Sequence, residues 1–587
     1  MAKSTTVKKI KSVKKKGKVK KAPPTPAQKL QASQKRTVRR IFEAAGFSRV
    51  RTDGVEFKFK TRTGELDDMF LFDNVLVVAE YTIGASGSGH ISTKGTLFNL
   101  IDSNQEDFAR FASELFPSLR ELVDKSNFSE DQYKVRICYV SLAPISEEME
   151  ESFPSIRFMD ATKLRYFDAL ARTIHRTSRF ELLKFLQLDF SEVGKEVFTT
   201  SSMTHVFEGH LLPESHSSFP PGFKVASFYA DPATLLMMSY VLRRDSWRTD
   251  EGLYQRVLVR SRMAEMRKYL VTEGRVFINN IIVTLPADTT LNEPGPSGKN
   301  LDPKKLSSVT RVAVSLPLKA DTIGLIDGQH RVFCYHEGVD KFEAKIKKIR
   351  DRQNLLVTGI VFPKNYTDFE KRQFEAKLFL EINDKQKRAR SELKQSIELI
   401  LNPFSNVAIS KAVIQRLNER GALKGMLQTN FFDPTSFIKT TSIVSYGLRP
   451  LVKLDGTDSL FSIWRDGTKN HLRDAQRSPA SVDDSAHELL TKYIEFCTTK
   501  INDLLIAAKI AIGTNRWKID HLDKKPNITP TVLNGFFVCM RRLAQENLIT
   551  TQANYSTAFG ELSKFDFSKY KSSQWKQLGD TLFIKYF

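Results

Sequence analysis

The spacing of apolar positions changes period repeatedly along the chain, and each change marks a predicted element. Val38, Ile41, Phe42 and Ala45 recur at three- and four-residue intervals, which predicts a helix over Val38 to Ala45, ended by Gly46. Glu56 to Thr61, Asp68 to Asp73 and Val75 to Tyr81 read as strands, with Asp73-Asn74 as a turn. A Gly/Ser loop, Gly84 to Gly89, precedes helical spacing over Leu97 to Leu115, which stops at Pro117. Val135 to Ser141 and Ser155 to Met159 read as further strands and Ala161 to Ala171 as a helix. Mixed strands with covering helices predict an α/β domain over residues 36–200.

Pro213 to Gly222 is rich in Pro, Ser and His and reads as part of a linker, 201–222. A second domain is expected over 223–450. In it, the apolar run Ile323 to Ile326 leads into a helix-like Val332 to Glu337, and Thr358 to Phe362 reads as a strand. The polar insertion Leu285 to Ser308 has the length of a lid over a ligand or of a plain surface loop. From 451 to 587 helical periodicity dominates, clearest over His487 to Ile506 and Val532 to Gln545, after a polar loop, Asp455 to Asp484. The expected class is an α/β multidomain protein with a helical C-terminal region. A chain of 587 residues is too long for one core.

Charge and cysteine usage narrow the class. The net charge is +23, and the first 40 residues hold fifteen Lys or Arg and no acid, leaving +8 for the rest. Residues 1–35 have few large apolar groups and read as a disordered basic tail. Such a tail serves sequence-independent binding to nucleic-acid phosphates, or only solubility or targeting. No run approaches the ~20 apolar residues of a membrane span, and no signal peptide is evident, so no membrane partner is expected. Cys138, Cys334, Cys497 and Cys539 are scattered, which fits a reducing cytoplasm and argues against a zinc ribbon.

The densest chemistry lies in Asp327-Gly328-Gln329-His330-Arg331, between the apolar run and the helix-like segment. A strand turning through glycine into a helix leaves backbone N–H groups unpaired at a positively polarised end, which favours an anion. Gln329, His330 and Arg331 add side-chain donors there. Asp327 suits a metal, a ribose hydroxyl or a helix cap. The turn therefore reads either as a nucleotide or phosphate site or as a capped helix start with a surface arginine.

IDGQHR before a helix resembles the signature of the DGQHR-domain (DndB-like) family, whose fold is similar to that of ParB and sulfiredoxin. GQHR also resembles the phosphate-binding turn of sulfiredoxin, with Gln329 where the reactive Cys would stand, so thiol redox chemistry is excluded. Tyr254-Gln255-Arg256 through Arg275 to Val283 resembles the family's opening helix and first strand. Phe379 to Lys387, with Asn383 ending an apolar segment before a basic helix, resembles its second motif. The resemblance implies a nucleotide- or phosphate-binding domain, with Asp327, Gly328, Gln329, His330, Arg331 and Asn383 as its residues and an NTP as a possible ligand. It also implies DNA as a partner, beside other proteins of a bacterial DNA-modification or phage-defence system.

A second constellation precedes it. On a strand ending Val78-Ala79-Glu80-Tyr81-Thr82, Glu80 and Thr82 share a face, and Asp67 on the neighbouring strand is placed to approach Glu80. Two carboxylates sharing Mg2+ or Mn2+ would bind a phosphodiester and generate a hydroxide nucleophile. Acidic residues at strand ends are also commonplace. Helix, E-x-D, then an apolar strand ending E-x-[K/T] resembles the PD-(D/E)xK restriction-endonuclease fold. That resemblance maps Asp67 and Glu80 onto the metal carboxylates and Glu43 onto the acid some members carry on the first helix. Thr82 replaces the usual Lys, and Lys94 is the candidate to replace it in function.

Lys385, Lys387, Arg388, Arg390 and Lys394 form a basic run that serves a phosphate-tracking or merely solvated helix face. His205, His210 and His216 read as loop histidines. No GxxxxGK[ST] or Ser-His-Asp arrangement is present. The expected function is a cytoplasmic, nucleoid-associated endonuclease gated by the DGQHR domain. The alternatives are an inactive DNA-binding regulator or accessory subunit, and NTP hydrolysis at the turn.

Overall fold

The computed structural model describes residues 24–194, 204–243, 257–384, 391–429, 436–478, 484–519 and 528–587, apart from 53, 85, 86, 144, 296 and 297, together with 247, 255 and 433. The architecture is α/β and multidomain, with two mixed sheets and a helical C-terminal region.

Helix α1 spans Pro26–Ala45. Thr25 Oγ1 accepts from the Gln28 N–H at 3.2 Å, and the Gln28 side chain returns to the Thr25 N–H at 2.9 Å. This capping box, with Pro26 at the first helical position, starts the helix twelve residues before its apolar stripe. Residues 26–35, read from composition as tail, are therefore helical. Residues 1–23 lie outside the described residues.

Strands β1 (Ser48–Val50), β2 (Glu56–Phe59), β3 (Arg62–Glu65), β4 (Asp68–Phe72) and β5 (Val75–Thr82) follow. β2 and β3 form a separate ribbon, while β4 and β5 make a hairpin through Asp73, at φ 48°. Next come α2 (Gly87–Asp102), α3 (Gln105–Leu115), α4 (Pro117–Val123), β6 (Lys134–Ser141), α5 (Glu147–Ser152), β7 (Ile156–Met159), α6 (Ala161–Ile174) and α7 (Ser178–Phe185). The first sheet has the order β1-β4-β5-β6-β7, antiparallel through β5 and parallel beyond it. From Gly87 onward the expected Gly/Ser loop is α2, and the single helix expected over Leu97 to Leu115 breaks between Asp102 and Gln105.

β5 is buried on both faces, and its period of two divides them. Val75, Val77, Ala79 and Tyr81 face α1, α6 and α7; Leu76 and Val78 face the core under α2 and α3. This parity sends Glu80 toward α2.

The second sheet has eight strands in the order β10-β14-β11-β15-β9-β8-β13-β12. These are β8 (Thr204–Leu212), β9 (Lys224–Ala230), β10 (Ser239–Tyr240), β11 (Ile281–Leu285), β12 (Thr290–Asn292), β13 (Thr310–Pro317), β14 (Ile323–Asp327) and β15 (Leu355–Val361). Its helices are α8 (Glu214–Ser217), α9 (Pro232–Met238), α10 (Arg260–Glu273), α11 (Gln329–Phe333), α12 (Glu343–Arg350) and α13 (Asp368–Asp384). Two expectations change here. The segment read as a linker contains β8, paired with both β9 and β13, so His205 and His210 lie on a strand and His216 on α8. The polar insertion read as a lid supplies β12 at one edge of the sheet, six strands away from β14. It does not close over the DGQHR turn.

One apolar core runs from Val38 and Phe42 of α1 to Leu325 of β14 and Val357 of β15, so the two sheets are packed together. The C-terminal helices, including Asn406–Glu419, Asp484–Ile512 and Pro530–Gln545, form their own core. The polar loop expected over Asp455 to Asp484 contains the helices Leu460–Ile463 and Asn470–Arg477. Among the described residues, no single helix is long and apolar enough to cross a membrane.

Candidate active site

Asp67 and Glu80 meet at the open end of the β4–β5 hairpin, where Asp68 pairs with Ala79. Their carboxyl groups lie within hydrogen-bonding reach of each other. Asp67, expected on the neighbouring strand, lies in the bend just before β4, where its Oδ2 accepts from the Tyr81 N–H of β5 at 2.9 Å. Lys94, on α2 over the same face, donates to Glu80 Oε1 and, at 3.0 Å, to the Glu65 carbonyl. The structure thus brings together three residues that lie up to 27 positions apart in the chain.

The electrostatics are those of a crowded acid pair. Glu80 is 2% exposed, and burial, followed by the charge of Asp67, pushes its carboxyl up to about 7 against the opposing pull of Lys94. Lys35 of α1 forms an ion pair with Asp67 at 2.6 Å. Each carboxylate therefore has its own lysine. Lys35 was missed from sequence because α1 was begun too late; the Thr25-x-x-Gln28 capping box was the available signal.

Gln34, next to it and buried, donates Nε2 to the Thr82 and Val140 carbonyls at 3.0 and 2.9 Å. It ties α1 to the ends of β5 and β6. Asp68, fully buried, accepts from Arg39 at 2.8 Å, Arg49 at 2.6 Å and the Tyr81 hydroxyl at 2.9 Å. Those contacts lock α1 and β1 onto β4 without entering the site.

Glu43 is not part of this arrangement. It is exposed and lies eight residues beyond Lys35 on α1, roughly 12 Å along the axis at ~1.5 Å per residue. The helix presents Gln34 and Lys35 to the site in its place.

A divalent cation fits between Asp67 and Glu80 by donor type, and Lys35 and Lys94 place positive charge on both carboxylates where it would sit. Among the described residues, no group of three or more His, Cys, Asp or Glu converges as a metal cage. Asp67 and Glu80 are the two carboxylates that would offer oxygen donors to such an ion.

The DGQHR turn is a strand, a glycine and a short helix, but the helix is Gln329–Phe333, starting three residues before the expected Val332 to Glu337 and ending four residues short of it. Gly328 adopts φ 99°, and a Cβ there would lie 2.6 Å from Ile281 Cδ1, so glycine is required by backbone and space alike. Arg331 closes back on Asp327 in an ion pair of 2.7 Å, four residues apart. Burial, then the charges of Arg262 and Arg243, push His330 down to about 4, leaving it neutral. The Arg331–Asp327 pair is internally compensated. Asn383 donates to the Phe379 carbonyl at 2.9 Å, on a helix that packs against the other face of β14. Lys385, Lys387, Arg388 and Arg390 lie outside the described residues, as do Tyr254 and Arg256.

Sequence reading also missed a basic surface next to the turn. Arg260, Arg262 and Lys268 of α10 and Lys345, Lys347 and Lys348 of α12 are exposed on two helices in contact. Arg262 is among the charges that depress His330, which places this surface beside α11.

The two candidate sites do not meet. Arg179 of α7 lies over Phe72 at 5.3 Å and pairs with Glu337 at 2.8 Å, at the turn end of the β4–β5 hairpin. Asp67 and Glu80 lie at its other end, five residues along each strand and roughly 16 Å away at ~3.3 Å per residue. Compared with protein families, curated proteins and solved structures, the chain matches none.

Proposed function

We propose that the chain is a DNA-binding protein that hydrolyses phosphodiesters at Asp67, Glu80 and Lys94 with a divalent cation. The convergence of these three residues on one buried face carries the reading. The order of helix, three antiparallel strands, helix and parallel strand supports it, being the order implied by the resemblance to the PD-(D/E)xK fold. Lys94 reaches Glu80 from α2, which supplies the cation that Thr82 lacks.

Asp67 and Glu80 would hold Mg2+ or Mn2+, which supplies Lewis acidity and a water of lowered pKa. Lys94 steadies the charge that develops on the scissile phosphate, and its bond to Glu65 keeps it aimed. The buried Glu80 must be ionised to bind the cation, so activity rises with pH, along a limb that moves down from about 7 as added cation competes with the proton. Exposed cations on α10 and α12 offer a track for the DNA backbone.

The resemblance to the DGQHR-domain family extends this reading to a DNA-modification or phage-defence system, with an NTP or a DNA phosphate at the turn. Any gating would act through the core shared by the two sheets. A second reading, a non-cutting DNA-binding regulator or accessory subunit, is favoured by the pairing of both carboxylates with lysines.

The test is incubation of the full chain with supercoiled plasmid and Mg2+ or Mn2+, with and without each NTP. Nicking by the wild type that is lost in Asp67→Ala/Glu80→Ala supports hydrolysis. Tight binding without nicking, on modified and unmodified DNA alike, supports the regulator.

A further inference from the structure

A second cleft lies along β14 at Gly324, three residues before Asp327 and across a register shift in the pairing of β14 with β11. Because β14 alternates, Ile323 and Leu325 face the core shared with α1, whereas Gly324 faces α13. There, Tyr240 of β10, Thr284 of β11 and Glu375 of α13 line a cleft of 340 Å³, with Lys371 and Arg372 and the acids Asp321 and Asp368 around them. The volume lies in the range of small-ligand sites.

Glu375 is 2% exposed, and its Oε1 accepts from the Tyr240 hydroxyl at 2.8 Å and from the Thr284 hydroxyl. Both donors converge on one oxygen. Among the described residues, none donates to Oε2. The site is also built around a missing side chain. A Cβ at Gly324 would lie 2.2 Å from Thr284 Oγ1, 2.7 Å from Tyr240 Oη and 2.8 Å from Glu375 Oε1. With Oε1 occupied by two hydroxyls, Oε2 is the oxygen left to accept from a ligand hydroxyl in the cleft.

Lys371 and Arg372 precede Glu375 by one turn of α13, about 5.4 Å along the axis. Lys371 stays one-third exposed, beside Asp368 at 3.0 Å. The cleft therefore has a carboxyl with two hydroxyls at its floor, and beside them, at its rim, Lys371 and Arg372 with Asp368 paired to Lys371 and Asp321 paired to Lys184. A carboxyl flanked by hydroxyls suits the vicinal hydroxyls of a sugar, as acidic residues do in dinucleotide sites. Cations one turn away suit a phosphate.

We propose that this cleft binds a pentose phosphate, free or as the sugar-phosphate of a ribonucleotide, with the ring hydroxyls on Glu375 and the phosphate on Lys371 and Arg372. The site is separate from the DGQHR turn and from Asp67 and Glu80. The test is titration calorimetry on the full chain with ribose 5-phosphate, AMP and inorganic phosphate, using wild type, Glu375→Gln, Lys371→Ala/Arg372→Ala and Arg331→Ala.

The expected result is binding of ribose 5-phosphate and AMP alike, more tightly than inorganic phosphate. It weakens about tenfold or more in Glu375→Gln and in the rim double variant, and is unchanged in Arg331→Ala. Because the rim residues lie toward solvent, the double variant keeps the test valid if Glu375→Gln does not fold. Absence of binding at millimolar ligand, AMP binding without ribose 5-phosphate, or loss in Arg331→Ala alone would each overturn the proposal.

Discussion

The β4–β5 hairpin end and the DGQHR turn are both acid-and-cation clusters at the end of a strand, yet they are organised in opposite ways. At the DGQHR turn, Arg331 satisfies Asp327 within one helical turn, and His330 is neutral. At the hairpin end, two carboxyls are held against each other, and the cations that offset them arrive from different helices, Lys35 from α1 and Lys94 from α2. The five-residue motif is the more distinctive in sequence, but the scattered trio has the stronger electrostatic tension. A cluster built from one segment can relax by pairing with itself. One assembled by tertiary contacts is held in whatever geometry the packing imposes.

The largest expected effect tests that contrast directly. Asp67→Ala/Glu80→Ala should reduce metal-dependent plasmid nicking by about 10³-fold or more, whereas Arg331→Ala should leave its rate in the absence of NTP unchanged. Equal losses in both would erase the distinction.

Lys94→Ala should cost about 10² in rate, the typical loss on removing one charge-stabilising donor. Lys94 also holds the Glu80 carboxyl down, so its removal should move the acid limb of the pH–rate profile to higher pH. A pure rate loss with an unmoved limb would mean that Lys94 does not act on Glu80.

Stability should report the same tension without metal. Glu80 is raised from 4.5 to about 7, so between those values the folded state keeps a proton that the unfolded chain releases. Metal-free stability should therefore fall as the pH rises through that window, by about 2–3 kcal/mol at most. Glu80→Gln should flatten this part of a melting-temperature profile. An unchanged slope would mean that another group is responsible.

At the DGQHR turn the expected effects are conformational. Gly328→Ala meets a left-handed φ and a close Ile281 contact, and should destabilise by about 1–3 kcal/mol in urea unfolding. The smallest effect belongs to Arg331→Ala, which removes a partly exposed pair within one helix turn and should cost about 0.5 kcal/mol or less. A loss of several kcal/mol there would show that the turn is under more strain than its pairing indicates.

Local pattern made much of the fold readable. β4, β5, β6 and β14 announce themselves as apolar runs, and the pattern Ile-Asp-Gly-Gln placed the strand, glycine and helix at the DGQHR turn. Asp67, Glu80 and Lys94 were also nameable, through strand parity for the acids and a resemblance for the lysine. Less was readable where composition outweighed pattern. A basic, nearly apolar-free stretch concealed the first turns of α1, and a linker extended back from the Pro-rich Pro213 to Gly222 took in β8.

Periodicity within single segments was enough to establish that this is an α/β protein with helices at its C-terminal end, because each element buries one face or two and its residues record which. Partners drawn from distant segments leave no such record. Lys35 beside Asp67, Lys94 beside Glu80, and Glu375 meeting Thr284 and Tyr240 across Gly324 depend on how sheets and helices stack. Glu43 shows the same limit from the other side, since where α1 starts and which of its turns reaches the hairpin end decide between a site and solvent. Burial sets the Glu80 proton affinity, and burial belongs to the packed molecule alone.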